Sequence, residues 1–199
     1  MTARRLLAAT GLLLAVAFGL AVSRVAASRS AGLLPEYGRL PAFSLTDQQG
    51  RPIGLADLLG TVWVADFIFT RCAGQCPMMT ARMAALQRRF ESTPQLQLVS
   101  ITVDPSHDTP EALAAYAAHA GAGQHWRFLT GDADAVTALA RDGFRLGISQ
   151  DGPVEEPITH SVRLVLVDQQ GRVRGYYDAA EAGAMRSLER DIRRLLGQG

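Results

Sequence analysis

A chain of 199 residues with 20 basic residues, all of them arginine, and 19 acidic ones carries a formal net charge of +1. That balance leaves no electrostatic footprint for nucleic acid, and the absence of lysine excludes Schiff-base and phosphate-loop lysine chemistry. Once the apolar N-terminus is set aside about 160 residues remain, enough for one domain with a real core.

Arg4 and Arg5 precede an apolar run, LLAATGLLLAVAFGLAV, from Leu6 to Val22. At 1.5 Å per residue it spans roughly 25 Å, slightly less than a ~30 Å hydrocarbon core, and Arg5 and Arg24 can snorkel to close the gap. Val25-Ala26-Ala27 also offers a small-residue cleavage site. Residues 1–27 are therefore read as a retained membrane anchor or a cleaved signal peptide. Both place the remainder outside the cytoplasm, on the periplasmic or outer side of the cytoplasmic membrane. Residues 28–40, SRSAGLLPEYGRL, mix polar, glycine and proline residues and read as a linker. Residues 41–199 read as the domain.

The domain opens with a hairpin in which Phe43 and Leu45 alternate, Gln48-Gln49-Gly50 turns and Ile53 resumes. Thr61 to Phe69, TVWVADFIF, is a nearly continuous apolar run, as expected of a central strand covered on both faces. After a loop with both cysteines, Met79, Met83, Leu86 and Phe90 fall at helical spacing. Leu96 to Val103 reads as a second buried strand. Asp108, Pro110 and Glu111 then predict a capped helix through Ala120, with Asp108 at the N-cap. A short helix follows over Ala133 to Arg141. SVRLVLVD, QQG and RVRGYYD read as a second hairpin, and Met185, Leu188, Ile192 and Leu195 mark a closing amphipathic helix. This is the order of an α/β thioredoxin-like domain, a central mixed sheet flanked by helices.

The loop FTRCAGQCPMM holds the chain's two cysteines, Cys72 and Cys76. Proline after Cys76 predicts an extended N-cap there, with Pro77 opening the helix and the helix dipole lowering the Cys76 pKa. A structural disulfide closing so short a loop removes little chain entropy, which leaves a redox couple or a metal site. Thioredoxin-type catalysts use two intervening residues rather than three, which tilts the reading toward metal. Two thiolates suit Cu(I) if a further ligand arrives. His160, at the start of a predicted central strand, is the leading histidine, although a lone histidine there is as readily a packing residue. His107 is a weaker candidate, and His119 and His125 read as solvated. Met78 and Met79 are soft donors that read first as packing residues.

FIFTRCAGQCPMM, VSITVDPSHDTPEALAAYAAHAG, WRFLTGD and HSVRLVLVDQQGRVRGYYD, in this order from about residue 40 onward, resemble the Sco/SenC family of membrane-tethered copper proteins. The resemblance implies a thioredoxin fold that delivers copper to the CuA centre of cytochrome c oxidase, with Cys72, Cys76 and His160 as ligands. It matches Asp104 to an aspartate implicated in copper handling, although Asp104 reads equally as a turn residue before Pro105. It also implies an oxidase subunit carrying CuA, a copper donor and a thiol reductant as partners. Many members carry proline after the first cysteine, where this chain has Ala73, so the backbone between the thiols is less rigid here.

Two functions from different classes follow. One is a metallochaperone, binding and transferring copper without turnover. The other is an enzyme, an extracytoplasmic thiol-disulfide oxidoreductase that reduces cysteines of an oxidase subunit or another exported protein. A thiol peroxidase is disfavoured, because the cysteines lie too close for a distant resolving thiol. His160 separates the first two, since a dithiol catalyst needs no third soft ligand.

Overall fold

The computed structural model describes residues 34–149 and 159–197. Chain contacts separate Met1–Leu34 from a second unit, Pro35–Gly199, whose fold follows. Its elements are β1 (Gly38–Arg39), β2 (Ser44–Asp47), β3 (Pro52–Gly54), a 3-10 turn (Leu55–Asp57), β4 (Val62–Ile68), α1 (Cys76–Arg89), β5 (Leu96–Thr102) and α2 (Pro110–Ala120). They continue with β6 (Trp126–Thr130), α3 (Ala133–Ala138), β7 (Ile148–Ser149), β8 (Thr159–His160), β9 (Arg163–Val167), β10 (Arg172–Asp178) and α4 (Ala182–Leu195). Among the described residues no helix is long and apolar enough to cross a membrane. The anchor or signal reading of residues 1–27 lies outside the described residues.

An apolar run such as β4 has no polar face for solvent, so it takes the centre of the sheet with all seven residues buried. β4, β5 and β6 pair in parallel, β9 joins β4 antiparallel, and β10 folds back on β9. The full order is β1-β10-β9-β4-β5-β6-β2-β3. This is the expected mixed sheet flanked by helices, with hairpins at β2–β3 and β9–β10 where the turns were read.

Alternation along β4 assigns its two faces. Trp63 and Phe67 meet the Phe144 ring edge-on, at centroid distances of 5.9 and 5.3 Å. Asp66 points the opposite way, to the face where Ser100 accepts from the Trp126 indole (2.9 Å) and Phe128 meets Tyr116 of α2. α1 buries Met79, Met83 and Leu86, as their spacing predicts, and its Thr80 hydroxyl bonds Tyr116 Oη at 2.7 Å.

Local details differ from expectation. Gly38–Arg39, within the stretch read as linker, pairs with Val173 and Arg172, since β10 offers unpaired backbone groups along that edge. The cap of α2 is Thr109, whose Oγ1 accepts the Ala112 N–H at 3.3 Å, and not Asp108. Asp108 is fully buried instead, its carboxyl claimed by other donors. The helix read over Ala133 to Arg141 is α-helical to Ala138 and continues as a π-turn through Gly143, which delivers Phe144 to β4. His160 does not begin the central strand: it lies in β8, opposite Ile148, and β9 starts at Arg163.

Candidate metal centre

The parallel strands β4 and β5 end at the same edge of the sheet, where the last ladder bond runs from Val103 N–H to the Ile68 carbonyl (2.8 Å). Past it, β4 enters the loop that carries both cysteines. Cys72 N–H donates to the Phe69 carbonyl (3.2 Å), turning the chain back, and α1 starts at Cys76. Pro77 needs no acceptor in the first helical turn, and its fixed φ suits the helix start. Gln75 is the N-cap residue, but its side chain makes no capping bond. The Cys76 N–H instead donates to Cys72 Sγ at 3.4 Å, so a sulfur stands where a capping oxygen usually would.

This geometry corrects the expectation for Cys76. It is the first residue of the helix rather than its cap, and it is fully buried while Cys72 is half-buried. Burial pushes the Cys76 thiol far up, not down. The hydrogen bond to Cys72 and the charges of Cys72 and Asp66 add to the rise, and the Phe69 backbone amide opposes it. The positive end of α1 faces Cys72 Sγ. The two thiols are therefore unequal: Cys72 meets solvent, whereas Cys76 is buried, and that burial favours its protonated form.

Around Cys72 a cleft of about 450 Å³ is lined by Thr70, Pro77, Thr80, Tyr116 and His119, among others. The Tyr116 hydroxyl is pushed up to about 12 by burial, against the Thr80 hydrogen bond and together with the charges of Cys76, Asp66 and Cys72. A second cleft of about 370 Å³, lined by Phe90, Leu96 and His125 among others, lies at the opposite end of the sheet, away from the thiols.

Asp104 follows β5 and has its carboxyl buried. It accepts from Arg71 Nη2 (2.6 Å) and the Ser106 hydroxyl (2.9 Å) and lies 2.8 Å from His107 Nδ1. Burial would raise its pKa, but the bonds from Arg71, His107 and Ser106 outweigh it and hold the carboxyl below the usual range. Arg71 immediately precedes Cys72, so Asp104 is joined to the thiol loop through that arginine. His107 is half-exposed on this cluster. His119 and His125 are exposed, Met79 is buried in the core, and Met78 is half-buried.

Two of the three expected ligands are thus brought together. β9 runs antiparallel to β4, with Trp63 opposite Val167 and Ala65 opposite Val165. Its start, three residues after His160, lies beside the end of β4 that feeds the cysteine loop. The His160 side chain lies outside the described residues, and among those described no three His, Cys, Asp or Glu side chains gather into a metal cluster.

One group escaped the sequence reading. Asp66, in the middle of β4, is fully buried, and among the described residues neither carboxyl oxygen has a hydrogen-bond partner. Burial raises it to about 7. The Ser100 hydroxyl, its neighbour in register on β5, opposes the rise without forming a bond of ordinary geometry. A lone aspartate inside an otherwise apolar run was the available signal, because acidic residues are almost never fully buried unless paired.

The SCO1/SenC family model matches residues 36–197. A SCO1/SenC family lipoprotein from Bacillus anthracis is 36% identical, with TM-score 0.76 over 82% of this chain and 99% of that one. BsSco, described with a disulfide switch as a member of the Sco family of cytochrome c oxidase assembly proteins, is 28% identical, with TM-score 0.73 over 82% and 97%. Yeast Sco1 with copper bound is 26% identical, with TM-score 0.62 over 78% and 88%.

Proposed function

The chain belongs to the SCO1/SenC family, and on that premise we propose that it is an extracytoplasmic copper chaperone of cytochrome c oxidase assembly. It holds copper through Cys72, Cys76 and His160 and delivers it to the CuA centre of the oxidase. The observation that carries this reading is the junction of β4 and α1, where the Cys76 N–H meets Cys72 Sγ at 3.4 Å. Two thiols so placed are a soft donor pair suited to Cu(I), and one imidazole completes a three-coordinate site. The copper-bound yeast relative supports the choice of metal, and BsSco supports the assembly context. A copper donor and a thiol reductant are the further partners this role requires.

The test is His160→Ala in the reduced protein. Cu(I) affinity falls at least about tenfold, a loss in the range found when metal sites lose a supporting group. The thiolate-to-Cu(II) absorption shifts, while the circular dichroism of the fold is unchanged. Unchanged affinity and spectrum would leave His160 a packing residue and remove the three-ligand site.

The inequality of the thiols favours a second reading, a thiol-disulfide reductase. An accessible Cys72 can attack a partner's disulfide and expel one of its sulfurs as thiolate. The buried Cys76 then closes on Cys72 and releases the second. Copper stoichiometry of the reduced protein separates the readings, since a pure dithiol catalyst retains no metal.

Residues 1–27 tether or export the domain on this proposal, and the segment after them sets its reach. If Leu6 to Val22 is retained, the protein stays in the membrane fraction through a carbonate wash, with Cys72 open to thiol reagents only from the outer side. A mature N-terminus near Ser28 establishes cleavage instead.

A further inference from the structure

We propose that Asp108 is a positioning residue for the thiol pair, a buried carboxyl that clamps the approach to Cys72 onto the loop that carries Asp104. Asp108 is fully buried. Its Oδ1 accepts the Thr70 hydroxyl at 2.6 Å, and its Oδ2 accepts both the Thr70 N–H at 3.1 Å and the Thr102 hydroxyl. Thr102 Oγ1 in turn accepts the Asp104 N–H at 3.0 Å. The Asp108 N–H donates to the Asp104 carbonyl at 2.9 Å. One carboxyl thus grips Thr70 by main chain and side chain and, through Thr102, supports the main chain of Asp104.

The placement of these bonds matters more than their number. Cys76 is fixed by burial and by the first turn of α1. Ala73, Gly74 and Gln75, between the thiols, are all exposed and offer Cys72 little support from that side. Cys72 is instead held from the sheet side. Thr70 is clamped by Asp108, and Arg71 by its 2.6 Å bond to Asp104. The two residues ahead of Cys72 are therefore tied to a single loop, residues 103–108, whose own conformation depends on Asp108. The relation between the sulfurs is the relation between this clamp and the start of α1. Loosening the clamp lets Cys72 drift from Cys76 and lowers the effective molarity of one thiol toward the other. Buried, fully satisfied networks of this kind rigidify what they hold. Because Thr109 caps α2, the Asp108 carboxyl is free for this task.

The metal readout rests on the copper reading, but the thiol readout does not. Three variants of the full-length reduced protein decide the matter: Thr70→Val, Asp108→Asn and, as control, Thr109→Ala. The control removes the cap of the same helix and leaves the clamp intact. Two quantities are followed, the dithiol–disulfide equilibrium of Cys72 and Cys76 against glutathione, and the thiolate-to-Cu(II) absorption. Thr70→Val and Asp108→Asn shift the equilibrium about tenfold toward the dithiol, the scale of one lost buried hydrogen bond, and alter the band. Thr109→Ala lowers the melting temperature and moves neither. Wild-type equilibrium in both folded clamp variants, or an equal shift in Thr109→Ala, overturns the proposal. Should Asp108→Asn fail to fold, Thr70→Val decides alone. If the wild-type protein binds no copper, the copper reading fails and the glutathione equilibrium still tests the clamp.

Discussion

Oxidising Cys72 and Cys76 to a disulfide is expected to abolish Cu(I) binding, with reduction restoring it. The loss should exceed the roughly 10–100-fold that follows removal of a group merely supporting a ligand. A disulfide consumes both thiolates that a soft ion requires, and the extracytoplasmic compartment proposed for the domain is oxidising. The unliganded pair is therefore lost unless copper or a reductant protects it, so whatever reduces the pair licenses copper uptake. Cys72→Ser makes the same test without chemistry, and it is the cleaner variant of the two. A serine oxygen at 72 can still accept the Cys76 N–H that now meets sulfur, so α1 keeps its start. Cys76→Ser instead places a hydroxyl in a fully buried position, which destabilises the fold as well as the site. The sign of the pH dependence follows from Cys76. Burial holds its thiol protonated through neutral pH, so binding Cu(I) must release that proton, and affinity rises with pH by about tenfold per unit for each proton released. Competition against a Cu(I) chelator from pH 6 to 8 measures it. Equal binding by oxidised and reduced protein would move copper away from this loop and leave the cysteines a redox couple for other thiols.

The parts of this molecule that sequence periodicity governs were legible, and those set by single tertiary contacts were not. β4 and β5 were read from apolar runs and α1 from Met79, Met83 and Leu86, because burial of a whole face leaves a repeating trace. The cysteine pair was legible from spacing, with Pro77 marking the helix start. Which thiol meets the helix end was not legible. It turns on whether the helix begins at Cys76 or one residue later, and sequence boundaries are no finer than that. Asp108 and Thr109 are both good caps before a proline, so sequence alone could not say which one the helix uses. The choice is made by Thr70 and Thr102, 38 and 6 residues away along the chain. Asp66 was hidden for the opposite reason: the apolar run around it was so clear that one acidic residue did not change the reading.

Asp66 carries the last large expected effect. Its carboxyl is raised from 3.8 to about 7 by burial, whereas the unfolded chain holds it near its ordinary value. Below pH ~4 both states are protonated and the group does not bias folding. Between about pH 4 and 7 the unfolded state ionises while the folded state keeps its proton, so stability falls by roughly 1.4 kcal/mol per unit. Above about 7 both are ionised and the loss levels off near 4 kcal/mol. Asp47, Asp104 and Asp168 are shifted the other way, below the usual range, so their contributions change below pH ~4 and leave the window clear. Asp66→Asn removes the titration at nearly constant volume. The variant should match wild type near pH 4 and exceed it by up to about 4 kcal/mol at pH 8, with a melting temperature about 10 °C higher. Urea midpoints of both reduced proteins from pH 4 to 8 test this, because the difference curve cancels every group they share. Parallel curves would mean that the Asp66 carboxyl ionises normally despite its burial. A divergent pair would show the fold retaining a costly charge beside its thiols. Because that charge also helps keep Cys76 protonated, the stabilised variant should bind Cu(I) at pH 8 at least as tightly as wild type.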